Sequence, residues 1–186
     1  MTGNLSTFDT LWDESGLQEI AVQAKTLSKE ECRAIHGYLE RKRPKVFLEF
    51  GTQWGCSAAM FLKMFKWLGL DVEFHTWDVL GAVKFIDKRH FHLEDVTGKE
   101  AEIIKQYKPD FIFIDCHSYE LIGNLIPLCL AQKIDFACHD VGSEAITRSA
   151  IFWEYYWLTK LLEGNNNVTT TCVKDRYGIC VVEYKN

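Results

Sequence analysis

The sequence predicts an α/β domain, a doubly wound and mostly parallel sheet closed by an antiparallel hairpin. Three observations predict it. From Lys45 onward, short apolar β-prone runs alternate with helix-forming segments, the pattern of a parallel sheet covered by helices on both faces. The first run, Val46–Phe50, passes through Gly51 and Gly55 into a helix-forming stretch, which reads as strand, tight turn, helix. The last two runs, 168–173 and 179–184, are separated only by the turn residues Lys174 to Gly178 and read as a hairpin.

The elements follow in order. Residues 1–44 form an N-terminal helical segment and 45–186 the core of one domain, since 186 residues suffice for one well-buried unit. Leu17 to Ala24 is a short helix. Ser28 and Glu31 form a capping box for a helix reaching about Arg41, with Cys32, Ile35, Tyr38 and Leu39 on one face. The cluster Arg41, Lys42, Arg43, Lys45 is expected to complement that helix's C-terminus and stay solvated, and Pro44 stops the helix. Strands are expected at 46–50, 72–77, 89–93, 110–114 and 134–138, and helices at 55–67, 98–107, 119–131 and 146–163. Runs 46–50 and 110–114 are nearly all apolar, as befits strands covered on both faces.

Bulk properties narrow the function. Hydrophobic residues make up 47% and charged residues 25%, and the formal net charge is -5. That balance argues against nonspecific nucleic-acid or membrane-surface binding. No apolar run approaches the roughly 20 residues of a bilayer span, and the N-terminus lacks the basic and apolar regions of a signal peptide. Seven cysteines, at 32, 56, 116, 129, 138, 172 and 180, form no CxxC pair. The expectation is buried, reduced thiols in a cytoplasmic protein.

Acids close the strands: Glu49, Asp78, Asp115 and Asp140. In open α/β sheets these ends converge on a ligand crevice. Glycine at 51 and 55 lets the backbone approach a ligand, and the amides of the following helix start face a polar or anionic group. Asp78, at the end of the second strand, is placed to accept hydrogen bonds from ribose hydroxyls. Asp115 and Asp140 suit a hard divalent cation or supply a general base. His117 and His139 stand beside them, as structural groups or as proton carriers.

Three motifs together resemble the class I S-adenosylmethionine-dependent methyltransferases, and among them the small O-methyltransferases. They are Glu49-Phe50-Gly51 followed by Gly55-Cys56-Ser57; Phe113-Ile114-Asp115-Cys116-His117-Ser118-Tyr119-Glu120; and His139-Asp140. The resemblance spans about residues 45 to 184. It implies a Rossmann-like sheet of seven strands in the order 3-2-1-4-5-7-6 with strand seven antiparallel. It also implies that Glu49, Gly51 and Gly55, with Ser57 nearby, line the methionine end of the cofactor. Asp78 would hold the ribose, Asp95 would lie by the adenine, and Asp115 would stand beside the sulfonium. Asp115 and Asp140 correspond to Mg²⁺ ligands in the metal-dependent members. Asp115, His117 and His139 are then the catalytic candidates.

Three departures from the family pattern stand out. Gln53 occupies the place of a third glycine. The loop after Asp115 lacks an acid, since Cys116 alone separates Asp115 from His117. His139-Asp140 is softer than the usual metal-binding pair. The expected activity is O-methylation of a small molecule, with or without Mg²⁺, by a protein free to form a homodimer. The acceptor pocket is expected to draw on the N-terminal segment and on the loop 141–148. The aromatic run Phe152, Trp153, Tyr155, Tyr156 and Trp157 could face a flat substrate; the expectation is a core or dimer contact. The rival readings are a methyltransferase-like domain that no longer catalyses and a nucleotide-dependent oxidoreductase.

Overall fold

The computed structural model describes residues 7–24, 26–141, 158, 160, 162–175 and 177–185. The expected helix 146–163, its aromatic run and the loop after Val141 fall largely outside the described residues. The order is α1 (Phe8–Glu14), α2 (Leu17–Ala24), α3 (Lys29–Lys42), β1 (Val46–Phe50), α4 (Cys56–Trp67), β2 (Glu73–Asp78), β3 (Phe91–Leu93), α5 (Glu100–Tyr107), β4 (Phe111–Ile114), α6 (Tyr119–Gln132), β5 (Asp135–His139), β6 (Val168–Val173) and β7 (Ile179–Tyr184). A 3₁₀ turn, Lys88–His90, leads into β3.

These strands form one sheet in the order β3-β2-β1-β4-β5-β7-β6. The pairs among β1 to β5 are parallel, and β7 runs antiparallel to both β5 and β6. This is the seven-stranded Rossmann-like sheet that the resemblance implies. Successive strand residues face opposite layers. Phe47, Phe111, Phe113, Ala137 and Val181 pack under α1 to α4, whereas Leu48, Ile112, Ile114, Phe136 and Cys138 pack under α5 and α6. In the first layer Phe47 is fully buried, with ring centroids 5.0 Å from Phe61, 5.4 Å from Phe65, 5.7 Å from Phe74 and 4.9 Å from Phe111.

The capping box forms: the Glu31 amide donates to Ser28 Oγ at 3.3 Å, and the Ser28 amide donates to Glu31 Oε2 at 2.6 Å. Three features differ from the sequence reading. Helix α1 was not expected; its Phe8, Leu11 and Trp12 fill the outer edge of the first layer. The basic cluster is not simply solvated, because Arg41 pairs with Glu183 at 2.6 Å and Lys42 with Asp135 at 3.5 Å, which ties α3 to β7 and β5. The thiol expectation fails for one pair: Cys172 and Cys180 are joined by a disulfide. They stand directly opposite each other on β6 and β7, with Cα atoms 4.1 Å apart. The other cysteines among the described residues, Cys32, Cys56, Cys116, Cys129 and Cys138, form no disulfide. Among the described residues no helix is long and apolar enough to cross a membrane.

Because Phe47 touches four rings in a layer without slack, Phe47→Ala should cost about 3–5 kcal/mol. Denaturant unfolding should show a lower midpoint with an unchanged slope. A loss below about 1 kcal/mol would mean that the layer closes over the gap and is not the rigid base described.

Candidate functional site

The C-terminal ends of β1 to β4 open on a crevice of about 250 Å³. Its walls include Gly51, Trp77, Asp78, Asp95, Thr97 and Cys116. Gly51 turns the chain out of β1 at a φ of +106°. Its amide donates to the Trp77 carbonyl at 2.9 Å. A Cβ at this position would lie 2.1 Å from the backbone carbonyl oxygen of Asp115, so no side chain fits. Sequence reasoning assigned the glycine's close approach to a ligand. The closest approach is to the end of β4, within the chain itself. Gly55, at φ +81°, precedes α4, and a Cβ there would press on Ile86 at 3.1 Å. Gln53, where relatives carry a third glycine, has a φ of +48°, the left-handed region that glycine enters at least cost. Its side chain is exposed and is not among the crevice walls.

Asp78 is aimed by two backbone amides. Gln53 donates to its Oδ2 and Leu80 to its Oδ1, each at 2.7 Å. Each carboxylate oxygen retains accepting capacity on the crevice side. Asp95, across the crevice, accepts the Thr97 amide at 3.0 Å; the bonds to Thr97 hold its carboxyl below the usual carboxylate range.

Glu49 lies beneath the turn, fully buried. Its Oε1 accepts from Ser57 Oγ, while Oε2 has no hydrogen-bond partner. The Ser57 hydroxyl is thus committed to Glu49. Burial pushes the Glu49 carboxyl up to about 8, despite the hydrogen bond from Ser57 that favours the anion. Glu49 is thus a buried acid with one oxygen left without a hydrogen-bond partner, and Asp78 a carboxylate on the crevice wall.

Asp115, His117 and Asp140 gather at the ends of β4 and β5, each with a ligand atom within 4.8 Å of the others. His117 Nε2 lies 3.3 Å from Asp140 Oδ2. His139 is buried behind them, its Nδ1 3.2 Å from Asp115 Oδ1 and 3.6 Å from Asp140 Oδ1. Burial alone would lower the His139 pKa, but Asp115, Glu31 and Asp140 outweigh it and hold the imidazole well above its usual range. The two carboxylates fit a magnesium ion; the imidazole beside them is not a typical magnesium ligand.

Glu31 is the residue that sequence reasoning missed as part of this site. It was read only as a helix cap. It is fully buried, accepts the Gly178 amide at 2.7 Å, and lies 3.8 Å from His139 Nε2. Burial raises its pKa, but His139 and the amides of Ser28 and Gly178 more than offset that, so the carboxyl sits below its usual value. The one available signal was its position at N3, on the helix face that also carries the buried Cys32, Ile35 and Tyr38. No pattern in the sequence connects it to residues more than a hundred positions away.

No protein-family model matches the sequence, and no curated protein matches it. Solved structures do match. An O-methyltransferase from Bacillus cereus, in complex with S-adenosylhomocysteine, superposes with a TM-score of 0.64 at 16% identity, covering 95% of this chain and 96% of its own. The S-adenosylhomocysteine-bound methyltransferase PaMTH1 from Podospora anserina gives a TM-score of 0.62 at 14% identity, covering 96% and 93%. CmcI, solved with magnesium and S-adenosylmethionine, gives 0.53 at 14% identity, covering 81% and 69%. The chain has the fold of the class I S-adenosylmethionine-dependent methyltransferases.

Proposed function

We propose that this protein is an S-adenosylmethionine-dependent O-methyltransferase acting on a small molecule, with a divalent cation at Asp115 and Asp140. One observation carries the reading: the crevice at the ends of β1 to β4 is bounded by the glycine turn, the amide-aimed carboxylate of Asp78 and the exposed carboxylate of Asp95, above a buried acid with an unpaired oxygen. The O-methyltransferase neighbours add support at the level of fold.

In this reading Asp78 accepts the ribose hydroxyls and Asp95 lies at the adenine end. Gly51 sets the approach of β1 to β4, and Glu49 faces the methionine ammonium, oriented by Ser57. The cofactor supplies an activated methyl group on sulfur. The protein's task is alignment and control of the acceptor's proton. His117, half exposed beside Cys116 on the crevice wall, and Asp115 are the groups that reach an acceptor oxygen. A cation held by Asp115 and Asp140 would favour its deprotonated form. His139 is too deeply buried to meet substrate; it holds Asp115 in place instead.

Asp78→Asn tests the cofactor site while keeping the side chain's shape. Losing a charge-assisted acceptor should cost roughly 1.5–3 kcal/mol, which weakens S-adenosylhomocysteine binding by about one to two orders of magnitude in calorimetry. Wild-type affinity in this variant would overturn the assignment.

Glu49 gives a pH test. Its pKa in the folded chain, about 8, is above that of an ordinary glutamate. Between those two values the native state holds a proton that the unfolded chain has released. Stability must therefore fall as pH rises through that window, by up to about 1.4 kcal/mol per pH unit. Glu49→Gln should remove this contribution, so the difference between wild type and variant should change steadily from about pH 5 to 8. Saturating S-adenosylmethionine should flatten the wild-type slope, because its ammonium favours the ionised acid. A pH-independent difference, with and without cofactor, would show that Glu49 is ionised throughout and does not sense the cofactor.

A further inference from the structure

We propose that the cation site is built for a divalent first-row transition ion such as Zn²⁺ or Mn²⁺, with His117 as a third protein ligand, and that it discriminates against Mg²⁺. The inference rests on the cation half of the function proposed above and names the ion. Asp115, His117 and Asp140 present two carboxylate oxygens and one imidazole nitrogen within 4.8 Å of one another. Magnesium demands near-octahedral oxygen ligation, whereas imidazole nitrogen suits zinc, iron, cobalt and manganese more than magnesium. A mixed set of one nitrogen and two oxygens therefore shifts preference away from the hard ion. The missing acid after Asp115 acts in the same direction, because Cys116 supplies no further hard oxygen.

Two further observations support a built site. Candidate ligands commonly have hydrogen-bonded partners behind them that fix their orientation. Here His139, buried, lies against Asp115 at 3.2 Å, and Glu31 stands behind His139 at 3.8 Å. Glu31 is itself anchored by the Ser28 and Gly178 amides. The chain Glu31, His139, Asp115 thus runs from α3 through β5 to the cluster and leaves Asp115 little freedom. The cluster also adjoins the cofactor crevice, since Cys116 and Ser118, on either side of His117, line that crevice. An ion there would sit beside a bound cofactor.

The test measures metal binding directly. His75 and His92 lie 3.0 Å apart at the sheet edge and offer a competing pair of imidazoles, so all measurements use a His92→Gln background. Calorimetry in that background should give one site for Zn²⁺ and for Mn²⁺. Mg²⁺ should bind at least about a hundredfold more weakly than Zn²⁺. His117→Ala should weaken Zn²⁺ by at least about tenfold and Mg²⁺ little. His117→Asp, which makes the set all oxygen, should narrow the gap by weakening Zn²⁺ and strengthening Mg²⁺. Glu31→Gln, which leaves every ligand in place, should weaken Zn²⁺ through lost orientation. X-ray absorption at the zinc edge, in the same His92→Gln background, should show one imidazole nitrogen, a readout that needs no substitution at the cluster itself. Mg²⁺ binding as tight as Zn²⁺, a zinc shell without imidazole, or unchanged zinc affinity in a folded His117→Ala would each overturn the inference. S-adenosylhomocysteine affinity, measured on the same preparations, separates the two failures: retained cofactor binding would leave the methyltransferase reading intact, whereas its loss in the parent protein would count against that reading alone.

Discussion

The approach of β1 to β4 at Gly51 is the constraint on which the rest of the site depends. A Cβ there would meet the Asp115 carbonyl oxygen at 2.1 Å, so the chain can turn this tightly only with glycine, and glycine's left-handed φ is used at the same point. The consequence is spatial. Glu49 is next to last in β1, Asp78 ends β2 and Asp115 follows β4, and the turn brings β1 close enough to both neighbours to close the floor between them. The Gly51 and Thr52 amides, both donating to the Trp77 carbonyl, lock the turn to β2 as well. One residue without a side chain thereby fixes three strand ends.

A second constraint runs behind the first. Glu31 is a charged group with no exposed surface, and a buried charge is tolerated only with partners. It has two amides and a neighbouring imidazole. Through them the N-terminal helix α3, the hairpin turn at Gly178 and the end of β5 become one unit. The N-terminal segment is therefore a wall of the site's back side as well as a cover for the sheet. The same residue caps a helix, seats the hairpin and steadies His139, which explains why it is fully enclosed while most capping glutamates sit in solvent.

Much of the architecture was legible because it rests on local patterns. Val46–Phe50 and Phe111–Ile114 are apolar runs bounded by turn residues, and both became central strands. The hairpin strands appeared at 168–173 and 179–184, the residues read from the sequence. Asp78, Asp95 and Gly51 line the crevice that their positions after successive strands implied. Helix α1 was not legible, because its few apolar residues gain their stability from packing on α2 and α3 rather than from any periodic stripe. The Cys172–Cys180 bridge was not legible either: pairing depends on hairpin register, and spacing alone does not give register. Glu31 was legible as a cap and illegible as a partner of His139, since that contact exists only once α3 is docked beside β5.

The acids at the strand ends explain the character of the site. Glu49, Asp78, Asp95, Asp115 and Asp140 would repel one another if all were bare anions in so small a volume. The fold relieves each differently. Asp78 and Asp95 are satisfied by backbone amides, which stabilise a carboxylate without adding a formal charge. Asp115 and Asp140 share the His139 imidazole, whose affinity for a proton they raise. Glu49 is fully buried with neither a full set of donors nor a cation, and burial raises its pKa. Negative charge is thus concentrated at the mouth of the crevice and suppressed at its base, where it awaits a positive partner. A ligand with a sulfonium and an ammonium is complementary to that arrangement, because it lets Glu49 ionise without exposure to water. The same electrostatics would disfavour a purely anionic ligand, whose charge would add to that of the carboxylates. In the function proposed above, charge complementarity is what would separate an S-adenosyl cofactor from the pyrophosphate-bearing dinucleotides that share the strand–glycine–helix beginning, even though the backbone alone would accommodate either.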